Sequence, residues 1–249
     1  VLVALGGALA AAGCGGSGSR KRTATGSTTS TIARFLLFHD DLVRATEPDR
    51  ATLLGAPIIQ AALRGEVTRA QYIDFLTQAY HHVRHTVPLL MSCGARLPDH
   101  HAWLQRALVE YIQEETGHDE WILSDIDRAG GDSEAVRDGN PGLATEIMVA
   151  YAYDTVQRRN PLGFFGMAFV LEGTSVQLAT RAATTLQQAL DLPDGAFTYL
   201  ASHGELDIEH TATFAGLVNR FDREEDRRCV IDAAKAFFRL YGDIFRSLS

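Results

Sequence analysis

The sequence predicts an all-α protein, folded as a single bundle of seven or eight helices. From about residue 31 onward, no segment alternates apolar and polar residues over the length of a strand. Proline and glycine motifs divide this part of the chain into long segments that suit helices. Hydrophobic residues make up 46% of the chain and charged residues 22%, which is enough apolar material for a substantial core.

The breaks between segments set the expected order of the helices. Thr46-Glu47-Pro48 is expected to end the first helix, Gly65 to end the second, and Thr68 to cap the third. The longest loop is expected from Gly130 to Pro141. The expected helices span about 31–45, 53–65, 69–94, 100–130, 142–158, 161–190, 195–220 and 223–248.

The first 30 residues differ from the rest, because a small apolar run is followed by a polar, basic one. We expect residues 1–30 to be a disordered segment or an incorrectly assigned start, and residues 31–249 to form one domain. Ala11-Ala12-Gly13-Cys14 loosely matches a lipoprotein signal, so anchoring through Cys14 is the alternative to a cytoplasmic location.

Charge and cysteine content restrict the classes of partner. The formal net charge of −8 does not favour nucleic-acid binding. No later segment has the 18 or so apolar residues that a membrane span needs. Cys14, Cys93 and Cys229 are too few and too far apart to form a disulfide framework or a zinc site, which favours a reducing compartment. The expected partner is a small-molecule substrate.

His203, Asp207 and His210 form an H-x-x-x-D-x-x-H motif in the seventh expected helix. Around a helix, Asp207 lies roughly 40° and His210 roughly 20° from His203, so the three share a narrow stripe. Tyr199 and other apolar residues flank this stripe. A metal site and a His–Asp pair on a partly buried polar face both remain consistent with it.

Two further segments place carboxylates where a metal ion would need them. Glu115 and His118 form an E-x-x-H motif, and Glu114 is also within reach of His118 on a helix. A solvated helix face is the alternative for this motif. Glu172 stands in a mostly apolar run, so it is expected to be buried and to need a cation, a metal or a proton.

The third expected helix carries a polar stripe of Asp74, Gln78, His81 and His85 opposite an apolar one. This stripe faces either water or a polar cavity inside the bundle. His81 and His85 are therefore tentative ligands, and His82 is expected to be peripheral. Taken together, the carboxylates and imidazoles on these segments predict a site for two iron or manganese ions in a redox metalloenzyme.

These motifs resemble the heme-oxygenase-like (TenA/PqqC-like) helical superfamily, and within it the di-iron oxidases known as iron-containing redox enzymes. The resemblance covers about residues 45–248, including Pro57, Arg64-Gly65-Glu66-Val67 and the segment QYIDFLTQAYHHVRH. Its most specific parts are EETGH, LEGTS and HGELDIEH. It implies that the metal ligands are Glu115, His118, Glu172, His203, Asp207 and His210.

One position departs from the family pattern. Characterised members usually supply a further Glu from the third-helix region, where this chain has Gln78, His81, His82 and His85. His81 is the best candidate for that place by spacing. One carboxylate fewer would alter the charge and the redox potential of the site.

The resemblance implies a non-heme di-iron oxidase or oxygenase that uses two Fe ions, with Mn as an alternative, and O2 as co-substrate. Across the family the substrates include amines, amino acids and fatty acids, and homodimers are common on this fold. The residues expected to line the substrate pocket are Trp121, Phe164, Phe165, Phe169 and Tyr199.

Three other functions remain open. A TenA-like thiamine-degrading enzyme would need a nucleophilic cysteine, for which Cys93 and Cys229 are the candidates. A heme-binding oxygenase would need one proximal His and would leave the H-x-x-x-D-x-x-H motif unexplained. A non-catalytic helical scaffold would retain the polar core without binding iron.

Overall fold

The computed structural model describes residues 37–248, except for the side chains of residues 175–178, 180 and 203–212. The segment expected at residues 1–30, including Cys14, lies outside the described residues. The described chain is all-α, which confirms the predicted fold class. Its helices are α1 (Phe38–Leu54), α2 (Pro57–Arg64), α3 (Arg69–Val83), α4 (Thr86–Ala95), α5 (Leu104–Glu115), α6 (His118–Arg128), α7 (Ser133–Asp138), α8 (Leu143–Arg158), α9 (Gly163–Leu190), α10 (Thr198–Val218) and α11 (Glu224–Ser247).

Several predicted helix ends are confirmed, and each has a local cause. Gly65 ends α2 in the left-handed conformation, with φ of 72°. Thr68 caps α3, because its hydroxyl accepts from the backbone N–H of Gln71 while the Gln71 side chain accepts from the backbone N–H of Thr68. The predicted bounds of α8, α9, α10 and α11 agree with the structure to within three residues.

The predicted end of the first helix at Pro48 is wrong, because α1 continues through this proline to Leu54. A proline inside a helix costs roughly 3 kcal/mol. Phe38, Leu42 and Leu53 lie on both sides of Pro48 and are all buried in the main core. Burial of this apolar stripe, chiefly where α1 packs on α11, offsets the local cost of the proline.

The predicted third and fourth helices are each interrupted, so the described chain has eleven α-helices instead of seven or eight. The first interruption is at Arg84 and His85, between α3 and α4. The second follows Glu115, where Gly117 adopts a φ of 94° that favours glycine. The predicted long loop after Gly130 also contains the short helix α7.

The long helix α9 lies at the centre and packs along α10 and α11. Helix α11 also packs on α1 and α8, and α3 packs on α6 and α8. One apolar cluster joins α1, α4, α8, α9 and α11, and a second joins α3, α6 and the facing ends of α9 and α10. None of the helices described between residues 37 and 248 is long and apolar enough to cross a bilayer.

Helices α9 and α11 approach closely at Gly166. A Cβ atom there would lie 2.6 Å from the carbonyl oxygen of Val230 and 2.7 Å from the backbone nitrogen of Ala234. We expect Gly166→Ala to lower the free energy of unfolding by about 1–3 kcal/mol, because backbone atoms must move apart. Urea unfolding followed by circular dichroism measures the change.

Gly216→Ala is the matched control, since Gly216 is exposed on α10 and a Cβ there would meet no atom within 4 Å. It should leave the protein as stable or raise its stability by up to about 1 kcal/mol. Equal loss in both variants would contradict the close-approach explanation.

Candidate metal centre

Glu115 and His118 meet at the interruption between α5 and α6. The prediction that they share one helix is wrong, because Glu115 ends α5 and His118 begins α6. The turn at Gly117 nevertheless brings Glu115 Oε2 to 3.3 Å from His118 Nδ1. Their side chains are only 10% and 4% exposed, which contradicts the solvated-face alternative. Glu114 is exposed, so the geometry favours Glu115 as the partner of His118.

Trp121 holds the ring of His118 in place. The two rings stack with their centroids 4.2 Å apart and their planes inclined by 30°. Trp121 follows His118 by three residues on α6, so the same helix positions both rings. The stacked indole restricts rotation of the imidazole and shields it from water.

His81 lies near the end of α3 and is 4% exposed. Its Nε2 atom is buried and has no hydrogen-bond partner among the described residues. Burial lowers the pKa of His81, and the nearby Arg84 and His85 lower it further. The ring is therefore neutral at physiological pH, which is the protonation state that a metal ligand needs.

The other polar residues of this stripe have different roles. The Gln78 side-chain oxygen accepts hydrogen bonds from the Gly142 backbone (2.9 Å) and the Thr145 hydroxyl (2.7 Å), so it links α3 to α8. His85 begins α4, and its Nδ1 lies 3.0 Å from the Tyr153 hydroxyl. The buried positions of Gln78 and His81 favour the polar-cavity interpretation of the stripe over the water-facing one.

His82, expected to be peripheral to the metal site, is also buried. The residue is only 7% exposed, and its ring packs edge-on against Tyr241 with centroids 5.8 Å apart. Helix α3 packs against both α6 and α8, so the consecutive residues His81 and His82 are both buried although they point in different directions.

Helices α3 and α6 run antiparallel, which places His81 and His118 at the same end of the pair. Near the start of α3, Ile73 packs closely on Gly131, which lies just beyond the end of α6. A Cβ atom on Gly131 would lie 3.2 Å from the Cγ2 atom of Ile73. Near the other end, Arg137 pairs with Glu120 (2.9 Å) and interacts electrostatically with Tyr80. His81 follows Tyr80 directly, and His118 precedes Glu120 by two residues.

Asp125 fixes the start of α10 against α6. Its Oδ2 atom accepts a hydrogen bond from the backbone N–H of Tyr199 (2.8 Å), and Thr198 adds further hydrogen bonds. This carboxylate is fully buried and acts as an N-cap supplied by another helix. Burial raises the pKa of Asp125, and these hydrogen bonds only partly oppose the shift.

The remaining candidates lie on α9 and α10. Glu172 is half-buried in α9, three residues after Phe169, whose ring stacks on Phe214 of α10 (6.0 Å). Because α9 and α10 are consecutive helices that run in opposite directions, Glu172 lies beside the α10 backbone about one turn before Phe214. His210 is the residue four positions before Phe214. The side chains of His203, Asp207 and His210 lie outside the described residues, so their contribution remains a prediction.

A second cluster of possible metal ligands, in the described part of the chain, contains His100, His101 and Asp226, whose ligand atoms lie within 4.8 Å of one another. His101 Nε2 is 2.8 Å from Asp226 Oδ2, and Asn160 donates to the other carboxylate oxygen (3.0 Å). However, Arg223 lies 3.1 Å from His100 Nε2, where its positive charge opposes a cation.

The imidazole of His101 gives a second reason against a metal ion in this cluster. Its Nδ1 atom is buried and has no hydrogen-bond partner in the part of the chain that the structure describes. An ion on Nε2 would leave a proton on Nδ1 with no acceptor, which is costly in a buried site. We therefore interpret the His101–Asp226–Asn160 network as a structural link between the turn at Asp99–His101, the start of α9 and the start of α11.

An apolar cavity that is partly open to solvent lies between α2, α3, α9, α10 and α11. Of the residues expected to line a substrate pocket, Tyr199 lines this cavity, and Trp121 contacts His118. Phe164, Phe165 and Phe169 do not line this cavity, because they pack into the main core. Phe165 contacts Phe221, so these rings stabilise the bundle.

The described cysteines do not have the properties of nucleophiles. Cys93 is fully buried, its thiol donates to the Pro161 carbonyl (3.3 Å), and burial raises its pKa to about 12. Burial raises the pKa of Cys229 to about 11. Both remain protonated at neutral pH, whereas a reactive cysteine needs its thiolate form.

The protein has the fold seen in heme oxygenases and TenA homologues. Similar solved structures include a Shewanella denitrificans domain of unknown function with a heme oxygenase-like fold (23% identity, 86% of this chain and 92% of that chain covered, TM-score 0.76). A TenA homologue from Pseudomonas syringae is 9% identical (85% and 91% covered, TM-score 0.69). Heme oxygenase from Leptospira interrogans is 14% identical (86% and 100% covered, TM-score 0.69).

Residues 73–242 match the family model described as iron-containing redox enzyme. Because this match covers more than half of the chain, the protein belongs to that family. No curated protein matches the sequence. The family assignment confirms the resemblance to iron-containing redox enzymes inferred from the motifs.

The raised pKa of Asp125 predicts a pH-dependent stability. In the folded protein this carboxyl binds its proton more tightly than in the unfolded chain, so its contribution to stability falls as pH rises from about 4 through the raised pKa. Asp125→Asn keeps an oxygen acceptor for Tyr199 and has no charge to bury. We expect its free energy of unfolding, measured in urea, to increase relative to the parent from pH 4 to pH 7.

Asp125→Ala is the companion variant, because it removes the acceptor altogether. At pH 4 it should lose about 1–2 kcal/mol of stability, because the parent side chain accepts the hydrogen bond that caps α10 and alanine cannot. An Asp125→Asn variant that becomes less stable than the parent as pH rises would contradict the assigned cost of burying this charge.

Proposed function

We propose that this protein is a non-heme di-iron oxidase or oxygenase that uses O2 to oxidise a small organic substrate. The iron ligands in this proposal are His81, Glu115, His118, Glu172, His203, Asp207 and His210, and manganese is the alternative metal. His85 is left out, because it contacts Tyr153 on α8.

The observation that carries the proposal is the burial of the Glu115–His118 pair. The two side chains are 10% and 4% exposed, and their facing atoms are 3.3 Å apart. A buried carboxylate needs a cation, a proton or hydrogen bonds to compensate its loss of hydration, and a metal ion shared with the imidazole is one way to supply the charge. Carboxylate oxygen and imidazole nitrogen are suitable ligands for iron, so a bound cation accounts for the arrangement.

Two further observations support the same site. His81 presents a buried nitrogen that has no hydrogen-bond partner among the described residues and so is available to a metal ion. The antiparallel pairing of α3 with α6 places this residue at the same end of the bundle as His118. Membership of the iron-containing redox enzyme family makes iron the expected metal.

Bound iron would supply the one-electron chemistry that O2 requires in order to react with an organic molecule. The protein's own residues hold and orient the ligands. Trp121 fixes the ring of His118, and Asp125 sets the position of α10, which carries His203, Asp207 and His210. The apolar packing around these helices limits the access of water.

The alternative functions are less well supported. A TenA-like nucleophilic mechanism conflicts with the buried, protonated thiols of Cys93 and Cys229. A heme-binding oxygenase has structural neighbours in its favour, including a cyanobacterial heme oxygenase in complex with heme. That function needs only one imidazole ligand and does not explain the buried Glu115–His118 pair.

Anaerobic titration of the metal-free protein with Fe(II) tests the proposal. We expect uptake of about two iron ions per chain, as in other carboxylate-bridged bundles. His118→Ala and Glu172→Ala should each lose at least one iron, because each removes a proposed ligand. Iron content is measured after desalting, and the visible spectrum is followed after O2 is added.

His100→Ala is the matched control, since this exposed histidine belongs to the structural cluster. It should bind as much iron as the parent. Absence of iron uptake by the parent, or equal loss in His100→Ala and His118→Ala, would overturn the proposal. A Soret band on adding hemin that disappears only in His81→Ala or His118→Ala would instead support the heme-binding alternative.

The choice between His81 and His85 is tested separately. We expect His81→Ala to weaken Fe(II) binding by tenfold or more, about 1.4 kcal/mol, because it removes a ligand atom. His85→Ala should bind Fe(II) like the parent and lose only its contact with Tyr153. The reverse order of affinities would assign the ligand to His85.

A further inference from the structure

Among the described residues, those that line the apolar cavity between α2, α3, α9, α10 and α11 are all uncharged. Most of its walls are aliphatic or aromatic side chains, among them Ile58, Leu63, Phe75, Leu186, Leu200 and Phe245. The uncharged polar residues in the lining are Gln71, Tyr72, Thr174, Tyr199 and Tyr241.

Three of these polar side chains are already engaged by the protein. The Tyr72 hydroxyl donates to the Ala196 carbonyl (2.7 Å), and the Thr174 hydroxyl donates to the Val170 carbonyl (2.6 Å). The Gln71 side-chain oxygen accepts from the backbone of Thr68 (2.9 Å) at the start of α3. The cavity therefore has little means of stabilising a charged group, and an apolar occupant is favoured.

The cavity continues the helix faces that carry the proposed ligands on α9 and α10. On α9, the lining residues Ala179 and Leu186 follow Glu172 by seven and fourteen residues, so all three share one stripe. On α10, Tyr199 and Leu200 precede His203 by four and three residues. The cavity thus begins within about one helical turn of the α10 position assigned to the metal centre.

On α3, the lining residue Phe75 lies seven residues before His82, whose ring contacts the lining residue Tyr241. The face of α3 that carries Phe75 and His82 therefore points toward the cavity, and His82 lies at the C-terminal end of this face. His81, the next residue round the helix, is buried on an adjoining side of α3. The cavity and the candidate centre are neighbours on three helices.

We propose that this cavity is the substrate pocket of the candidate metal centre and that it binds an uncharged hydrocarbon part of the substrate. The reacting end of the substrate lies toward His203 and Glu172, and the hydrocarbon part lies between α3 and α9. This inference rests on the proposed function. It selects substrates with an apolar chain or ring over small, fully polar amino acids.

Fluorescence titration with N-phenyl-1-naphthylamine, a neutral apolar probe, tests the cavity. The probe should bind to the metal-free protein and be displaced by 1-octanol and 1-dodecanol, but not by lysine or serine. Ala182 lines the cavity on α9, so Ala182→Phe should fill it and raise the Kd of the probe at least tenfold. Ala62→Phe repeats the test from the α2 wall.

Ala201→Phe is the matched control, because Ala201 is exposed on α10 and does not line the cavity. It should bind the probe like the parent. A cooperative thermal transition shows that each variant is folded. If Ala182→Phe or Ala62→Phe does not fold, the test relies on the other of these two variants. Unchanged affinity in Ala182→Phe and Ala62→Phe, equal weakening in Ala201→Phe, or failure of the parent to bind the probe would overturn the inference.

Failure of this inference differs from failure of the proposed function. Iron uptake is measured without the probe, and probe binding is measured without iron. A parent protein that binds about two iron ions but no probe would retain the metal centre and lose the apolar pocket. A parent that binds the probe but no iron would retain the cavity and lose the metal centre to which we assign it.

Discussion

The hydrogen bond from the backbone N–H of Tyr199 to Asp125 is the interaction on which the candidate site depends most directly. It joins the last part of α6 to the first turn of α10, the two helices that carry His118 and the H-x-x-x-D-x-x-H motif. The first N–H groups of any helix lack partners within that helix, so a buried helix start needs an acceptor from elsewhere. A carboxylate supplies one at the cost of burying a charge, which explains why the pKa of Asp125 is raised.

A different constraint brings α3 to the same site. The antiparallel pairing of α3 with α6 is fixed at one end by close packing of Ile73 on Gly131, and at the other by Arg137, which pairs with Glu120 beside Tyr80. Each contact lies outside the proposed ligands. The ligands His81 and His118 are therefore placed by helix register, and neither has to provide the energy that holds its helix in position. This division lets a polar centre form inside an apolar bundle.

The sequence was sufficient for the fold class and for most helix ends, because capping boxes, left-handed glycines and helix-breaking motifs act locally. It also identified the pairing of Glu115 with His118, although it placed them on one helix. It could not show that α1 continues through Pro48, since packing of Phe38 and Leu53 against distant parts of the chain decides this. The role of Asp125 was missed for the same reason, because its partner Tyr199 is 74 residues away. Its place seven residues after His118, on the same face of α6, was the available signal.

The two histidine–carboxylate groups in this protein show why residue type alone does not define a metal site. At His101, the carboxylate of Asp226 is held by Asn160, and the guanidinium of Arg223 lies beside the neighbouring His100. The Asp226 carboxylate is hydrogen-bonded without an ion, and the positive charge of Arg223 opposes one. At the other group, the buried carboxylate of Glu115 lies 3.3 Å from the imidazole of His118. On the neighbouring helix α3, the Nε2 atom of His81 has no hydrogen-bond partner among the described residues. The difference lies in the neighbouring residues, since a guanidinium stands beside one group, and an imidazole nitrogen without a hydrogen-bond partner in the described part of the chain lies near the other.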